Sequence, residues 1–128
     1  MTMAEVERDI VQDLMELNDE MSQYTYLIGC ADCCGMMSTA QHRPEYLIKD
    51  CQVNTWMYVE WKNGKCIPFF DSESLIVKGV LALIQEIYRG KSQAEIESYH
   101  CGLVENPIIQ KALNRAQYQG LMKILSMM

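Results

Sequence analysis

The chain has 128 residues, a formal net charge of −6 and a pI near 4.8, which argues against binding to nucleic acid or anionic membrane because both need clustered Lys and Arg. Hydrophobic residues at 49% and charged residues at 22% describe a globular chain long enough to bury its own core, so one domain over residues 1–128 is expected. No apolar run reaches the length of a membrane span, and the opening MTMAEVERDI is acidic where a secretory leader is basic and then apolar, so the expected compartment is the cytoplasm.

The first predicted element is a helix. Val6, Ile10, Leu14, Leu17 and Met21 recur three or four apart, with Glu7, Asp9, Asp13, Glu16 and Asp19 on the other faces. YTYLIGCADCC reads as a second helical segment, followed by the irregular GMMSTAQHRPE. TWMYVEW and KCIPFF then flank Asn63-Gly64, a pair suited to the positive dihedrals of a two-residue hairpin turn. Trp56, Tyr58 and Glu60 fall on one face of that hairpin, and Met57, Val59 and Trp61 on the other. Pro68 lacks a ladder donor and marks an edge or bulge.

Asp71 or Ser72 is positioned to cap the helix SLIVKGVLALIQEIY, which is apolar around so much of its circumference that it must pack centrally, across the hairpin. Gly79 inside it costs about 1 kcal/mol of helix propensity relative to alanine, and a close backbone approach would explain it. The helix ends at Gly90. Ser92 and Glu95 form a capping box for a short helix, and Pro107 and AQYQGLMKILSMM predict two closing helices, the last burying Leu121, Ile124 and Leu125. The expected fold is α+β, a small antiparallel sheet built on a hairpin and packed by N-terminal, central and C-terminal helices.

Six cysteines in a reducing compartment point to nucleophilic thiols, metal ligands or buried space-fillers before disulfides. Arg89-Gly90-Lys91-Ser92 resembles the tail of a phosphate-binding loop, but Gln85 stands where its opening glycine belongs and a helix precedes it instead of a strand. His100-Cys101 are sequence neighbours, which does not set a base against a thiol, and they read as solvated turn residues. Cys30, Cys33 and Cys34 fall three and four apart, so three thiolates with His42 form a candidate zinc or iron–sulfur site, to which Cys51 or Cys66 could add. No second ligand pair accompanies them, and no strand precedes them as a thioredoxin-like motif requires.

Cys51 lies in LIKDCQVNTW, between a charged residue and an amide where an apolar run is about to become a strand. That context puts its sulfur at a strand start or loop tip. From Leu47 to Gly90 the residues Cys51-Gln52, Trp56, Asp71-Ser72, Ile76-Val77-Lys78-Gly79 and Tyr88-Arg89-Gly90-Lys91 stand in an order that resembles the SufE family of sulfur-acceptor proteins. Tyr26-Leu27-Ile28 resembles the end of that family's first helical region. The resemblance implies a SufE/IscU-like fold and a carrier acting beside partners, with a covalent intermediate. By match of position Cys51 would accept persulfide sulfur from a cysteine desulfurase and pass it toward an iron–sulfur cluster scaffold. It implies no cofactor of the carrier's own, the pyridoxal phosphate belonging to the desulfurase. Oligomeric state is left open.

The chemistry fits independently of the family. Taking sulfur from a persulfide is thiol exchange, in which the thiolate attacks and access decides the rate. A shallow apolar niche, walled by Trp56 and the long helix, would protect the product. The chain departs from the family pattern at Asp50, in place of a glycine, and at Val53, in place of a serine. Ala112-Leu113 and Gln117-Tyr118-Gln119-Gly120 stand where the family has His-Leu and Arg-x-Asn-Gly. A carboxylate at Asp50 disfavours a neighbouring thiolate, with Lys49 as a partial offset. Two other readings follow: a metal or cluster protein using Cys30, Cys33 and Cys34, and a desulfurase regulator that carries no sulfur.

Overall fold

The computed structural model describes the chain apart from Gly35, Met36, Ser38 and Asp50. Helix α1 spans Met3–Met15 and opens with a capping box, Thr2 Oγ1 accepting from the Glu5 amide and Glu5 Oε1 from the Thr2 amide. Helix α2 spans Glu20–Cys30. The apolar periodicity read as one helix to Met21 therefore covers two. Asp19 is extended and accepts from the Ser22 amide at 2.7 Å, starting a second helix on a new axis that leaves Met21 79% exposed. After α2 come 3₁₀ turns at Ala31–Cys33, Thr39–Gln41 and Pro44–Tyr46.

Strands β1 (Thr55–Lys62) and β2 (Lys65–Ser72) pair antiparallel in the expected hairpin. Asn63 and Gly64 both hold positive φ, 54° and 74°, as a two-residue turn matched to strand twist requires. Thr55, Met57 and Val59 pair with Ser72, Phe70 and Pro68 on the face that meets the core. Trp56 and Tyr58 lie on the opposite face, where His42 packs edge-on to Trp56 at 4.8 Å and Tyr46 packs on Tyr58 at 4.9 Å. In this two-stranded sheet Pro68 is on an edge, and its carbonyl accepts from the buried Gln85 at 2.7 Å.

Helix α3 (Leu75–Tyr88) buries eleven of its fourteen residues, so it is the axis of the core, packed against β2, α2, α1 and helix α6 (Arg115–Met127). Its cap is Ser74, whose Oγ accepts from the Val77 amide, and not Asp71 or Ser72. Ser72 is instead occupied one step earlier, its hydroxyl bonding Thr55 across the hairpin at 3.0 Å and accepting from the Ser74 amide. Gly90 (φ 77°) turns the chain so that residues 90 and 91 bond the backbone of Cys66. Helix α4 (Gln93–Glu97) carries the Ser92–Glu95 capping box, and α5 (Pro107–Ala112) leads into α6, which buries Leu121 and Ile124 and leaves Leu125 half-buried. Among the described residues no helix is long and apolar enough to cross a membrane.

The closest approach in the core is at Gly79, where an added Cβ would lie 1.8 Å from the Leu27 carbonyl oxygen. Backbone, not a flexible side chain, blocks the position. Gly79→Ala is therefore expected to cost about 3 kcal/mol or more, at or beyond the upper end of ordinary overpacking, in urea denaturation. Gly29 on the same helix pair has open space around its missing Cβ. Gly29→Ala should raise stability by up to about 1 kcal/mol, so the two glycines respond with opposite signs.

Candidate functional site

The Cys51 segment leaves and rejoins the sheet at a fixed neck. Leu47 bridges to Trp56, and the Ile48 amide donates to the Thr55 carbonyl at 2.8 Å. On the returning side Asn54 and Glu73 exchange two bonds, Glu73 N to Asn54 O and Asn54 N to Glu73 Oε1, each 3.0 Å. Cys51 therefore sits at a loop tip, as its neighbours in sequence imply.

That tip rests on α6. Lys123 Nζ donates to the Lys49 carbonyl at 3.0 Å, and Asn114 Nδ2 donates to Gln52 Oε1 at 3.3 Å. Between these contacts the α6 surface is a glycine, and a Cβ added at Gly120 would stand 3.3 Å from Cys51 Sγ. The sulfur is half-buried beside a recess of about 30 Å³. At ~10–15 Å³ per water-sized group, that space holds two or three small groups. Besides Cys51, its walls are Gln52, Val53 and Thr55 from the hairpin side, Val77 from α3, and Ala116, Gln117, Gly120, Leu121 and Ile124 from α6.

Trp56 is not one of the walls. It follows the core-facing Thr55 in β1 and so points to the other side of the sheet, against His42. The long helix contributes Val77 as expected, while most of the shelter comes from α6. Gln117 occupies the position where an arginine was expected, and its amide is engaged locally: Oε1 accepts from the Asn114 amide and Nε2 lies 3.5 Å from Ser74 Oγ. Among the described residues, no charged side chain lines the recess. Val53, in place of the serine, supplies an apolar rim and is 37% exposed. Asp50 lies outside the described residues.

The six cysteines form no disulfides. Cys34 is buried and donates to the Phe70 carbonyl at 3.4 Å, and burial pushes its pKa up to about 11. Burial likewise pushes Cys101 up to about 12 and raises Cys66. For Cys30, burial and then the neighbouring Cys33 raise the thiol. Cys33 is exposed. The alternative ligand set is therefore not gathered: Cys34 turns inward, Cys33 faces solvent, and His42 Nε2 lies 2.7 Å from Asp71 Oδ2. Burial opposes the ionisation of Asp71, yet hydrogen bonds from His42, Lys78 and the Ser72 amide hold its carboxyl below the usual range. Among the described residues no three His, Cys, Asp or Glu side chains are arranged to hold a metal ion. His100 is solvated and pairs with Glu105 at 3.0 Å, but Cys101, expected to share that turn in solvent, is buried.

A family model described as an Fe-S metabolism associated domain, SufE, matches residues 8–128. The chain belongs to the SufE family. It is 30% identical over 104 residues to the cysteine desulfuration protein SufE of Wigglesworthia glossinidia brevipalpis, covering 80% of this chain and 72% of that protein. It is 33% identical over 76 residues to the sulfur acceptor protein CsdE of Escherichia coli, covering 58% and 52% respectively. In structure it resembles a hypothetical protein from Thermus thermophilus solved in solution, with a TM-score of 0.65 over 94% of this chain and 91% of that one at 16% identity, a likeness of fold.

Thiol reactivity in this SufE chain should divide along burial. At pH 8 a thiol with a pKa of about 11 is about 0.1% ionised, so Cys34 should resist brief iodoacetamide treatment, as should Cys66 and Cys101. Cys33 and Cys51 should label first in peptide maps. The same shifts bear on stability. The folded state retains these protons above pH 9, where the unfolded thiols release theirs, so this contribution is full below about pH 9 and is lost as pH rises toward about 11 to 12. Urea midpoints measured at pH 8 and pH 10.5 should fall accordingly.

Proposed function

We propose that this protein is a sulfur carrier in which Cys51 accepts sulfane sulfur from the persulfide of a cysteine desulfurase and passes it to iron–sulfur cluster assembly. The reading rests on one observation above all: a half-buried sulfur at a loop tip, against a glycine and beside an uncharged apolar recess. The relatives named for cysteine desulfuration and sulfur acceptance point the same way.

In the transfer, the Cys51 thiolate attacks the terminal sulfur of the donor persulfide. A lone pair of Cys51 forms the new S–S bond, the old S–S bond breaks, and its electron pair leaves with the donor cysteine as a thiolate. The terminal sulfur keeps its proton, so Cys51-S⁻ and donor-S-SH become Cys51-S-SH and donor-S⁻. No outside oxidant or reductant is needed, and the same exchange in the other direction unloads the carrier onto an acceptor thiol. No cofactor of the carrier's own enters the scheme, and the pyridoxal phosphate stays with the desulfurase.

The recess gives the product somewhere to go. A persulfide is lost when a small thiol attacks it, and a sulfane sulfur turned between Val77, Leu121 and Ile124 is screened from that attack. Burial of the competing thiols directs loading to Cys51, since Cys34 and Cys101 carry almost no thiolate at neutral pH.

Incubation with a cysteine desulfurase and free cysteine should add one sulfur by intact mass, mapping to Cys51 and absent in Cys51→Ser. Sulfur settling on Cys33 or Cys30 instead would overturn the assignment. If Cys51→Ser still stimulates the desulfurase fully while loading of the wild type is nil, the protein is a regulator and not a carrier. Gly120→Ala adds a methyl group against the sulfur and should leave loading intact but shorten persulfide lifetime in dithiothreitol.

A further inference from the structure

Among the described residues, polar contacts on both sides of the cysteine fasten the Cys51 loop to α6, and the sulfur-carrier reading alone does not require them. On the N-terminal side Lys123 Nζ holds the Lys49 carbonyl at 3.0 Å. On the C-terminal side Asn114 Nδ2 holds Gln52 Oε1 at 3.3 Å. Gly120, the residue against which the sulfur rests, lies between Asn114 and Lys123 in the same helix. The neck of the loop is already fixed by Ile48, Thr55, Asn54 and Glu73, so these two bonds act on the tip alone.

Asn114 carries two roles at once. Its Oδ1 accepts from the Gln117 amide at 2.8 Å and caps α6, while its Nδ2 is directed to Gln52. Serine or threonine would cap the helix equally well but, with a single short hydroxyl, has no separate amide nitrogen to extend to the loop. Lys123 is comparable: its ammonium reaches a backbone carbonyl, so the contact is independent of the side chain at position 49.

We propose that Asn114 and Lys123 are positioning residues for Cys51, pinning the loop tip to α6 so that the sulfur is seated at Gly120 beside the recess. Both bonds are solvent-exposed and individually weak. The role in sulfur protection rests on the carrier reading, whereas the seating itself does not.

The test separates the two. Asn114→Ser keeps the cap and removes the donor, Lys123→Met keeps the aliphatic stem and removes the ammonium, and Lys123→Arg restores a donor. Iodoacetamide labelling of Cys51 is timed in the full chain with the exposed Cys33 as internal reference, and no desulfurase is present. The double variant Asn114→Ser with Lys123→Met should label at Cys51 about five- to tenfold faster, as expected for loss of two exposed hydrogen bonds. Cys33 labelling and the thermal midpoint should stay within error, and Lys123→Arg should restore most of the protection. Unchanged Cys51 labelling in the double variant overturns the proposal, as does a parallel rise at Cys33, which would signal general loosening. In a second arm the loaded double variant should lose its persulfide to dithiothreitol severalfold faster. Faster labelling without any loading would leave the seating intact and sink the carrier reading instead.

Discussion

The contact between α2 and α3 at Gly79 sets the distances on which everything else relies. With 1.8 Å between an imagined Cβ and the Leu27 carbonyl oxygen, the two backbones touch with nothing between them. That contact fixes how deeply α3 sits, and α3 in turn presents Val77 to the recess and backs β2. The hairpin hangs from the same helix at its open end, where Thr55, Ser72 and the Ser74 cap are linked by successive hydrogen bonds. The neck of the cysteine loop begins one residue before that chain, at Asn54.

The Cys51 loop thus combines a rigid base with a lightly held tip, and the sulfur exchange proposed for it asks for both. A thiol fixed in a strand could shelter a sulfur but could not offer it to a second protein. A thiol on a loose loop could offer it but would lose it to any small thiol in solution. Here backbone pairing holds the base, and two side-chain bonds and a glycine seat the tip. The three buried cysteines reinforce the arrangement passively. Cys34, Cys66 and Cys101 pack in the core and are held as thiols by the loss of solvent around them.

What could be read from the sequence was mostly what neighbouring residues decide. Asn63-Gly64 dictates its turn, Ser92 and Glu95 their capping box, and alternating Trp56 to Trp61 the two faces of β1, because each depends on contacts a few residues long. Gly79 was legible for a related reason, since a glycine in so apolar a helix has few explanations besides close approach. The loop position of Cys51 was legible in its immediate neighbours. The walls of its recess were not, because Ala116, Leu121 and Ile124 meet Cys51 only through the long-range docking of α6, and helical periodicity says that a face is buried without saying against what. Gly120 was the one available signal. Trp56 failed as a wall although strand parity alone set it on the side opposite Thr55. Ser74 displaced Ser72 as the cap because Ser72 was already engaged across the hairpin, a competition invisible without the register. The break between α1 and α2 was marked by Asp19, which periodicity counted merely as a polar position.

The dependence of the loop on α6 has a consequence in time. The ribosome completes the cysteine loop and the whole hairpin well before it reaches Asn114 and Gly120. A nascent chain that has already folded its sheet therefore displays Cys51 with one wall of its shelter still unwritten. The thiol becomes a guarded one only as the downstream helix docks, so the shelter is completed later than the loop that needs it.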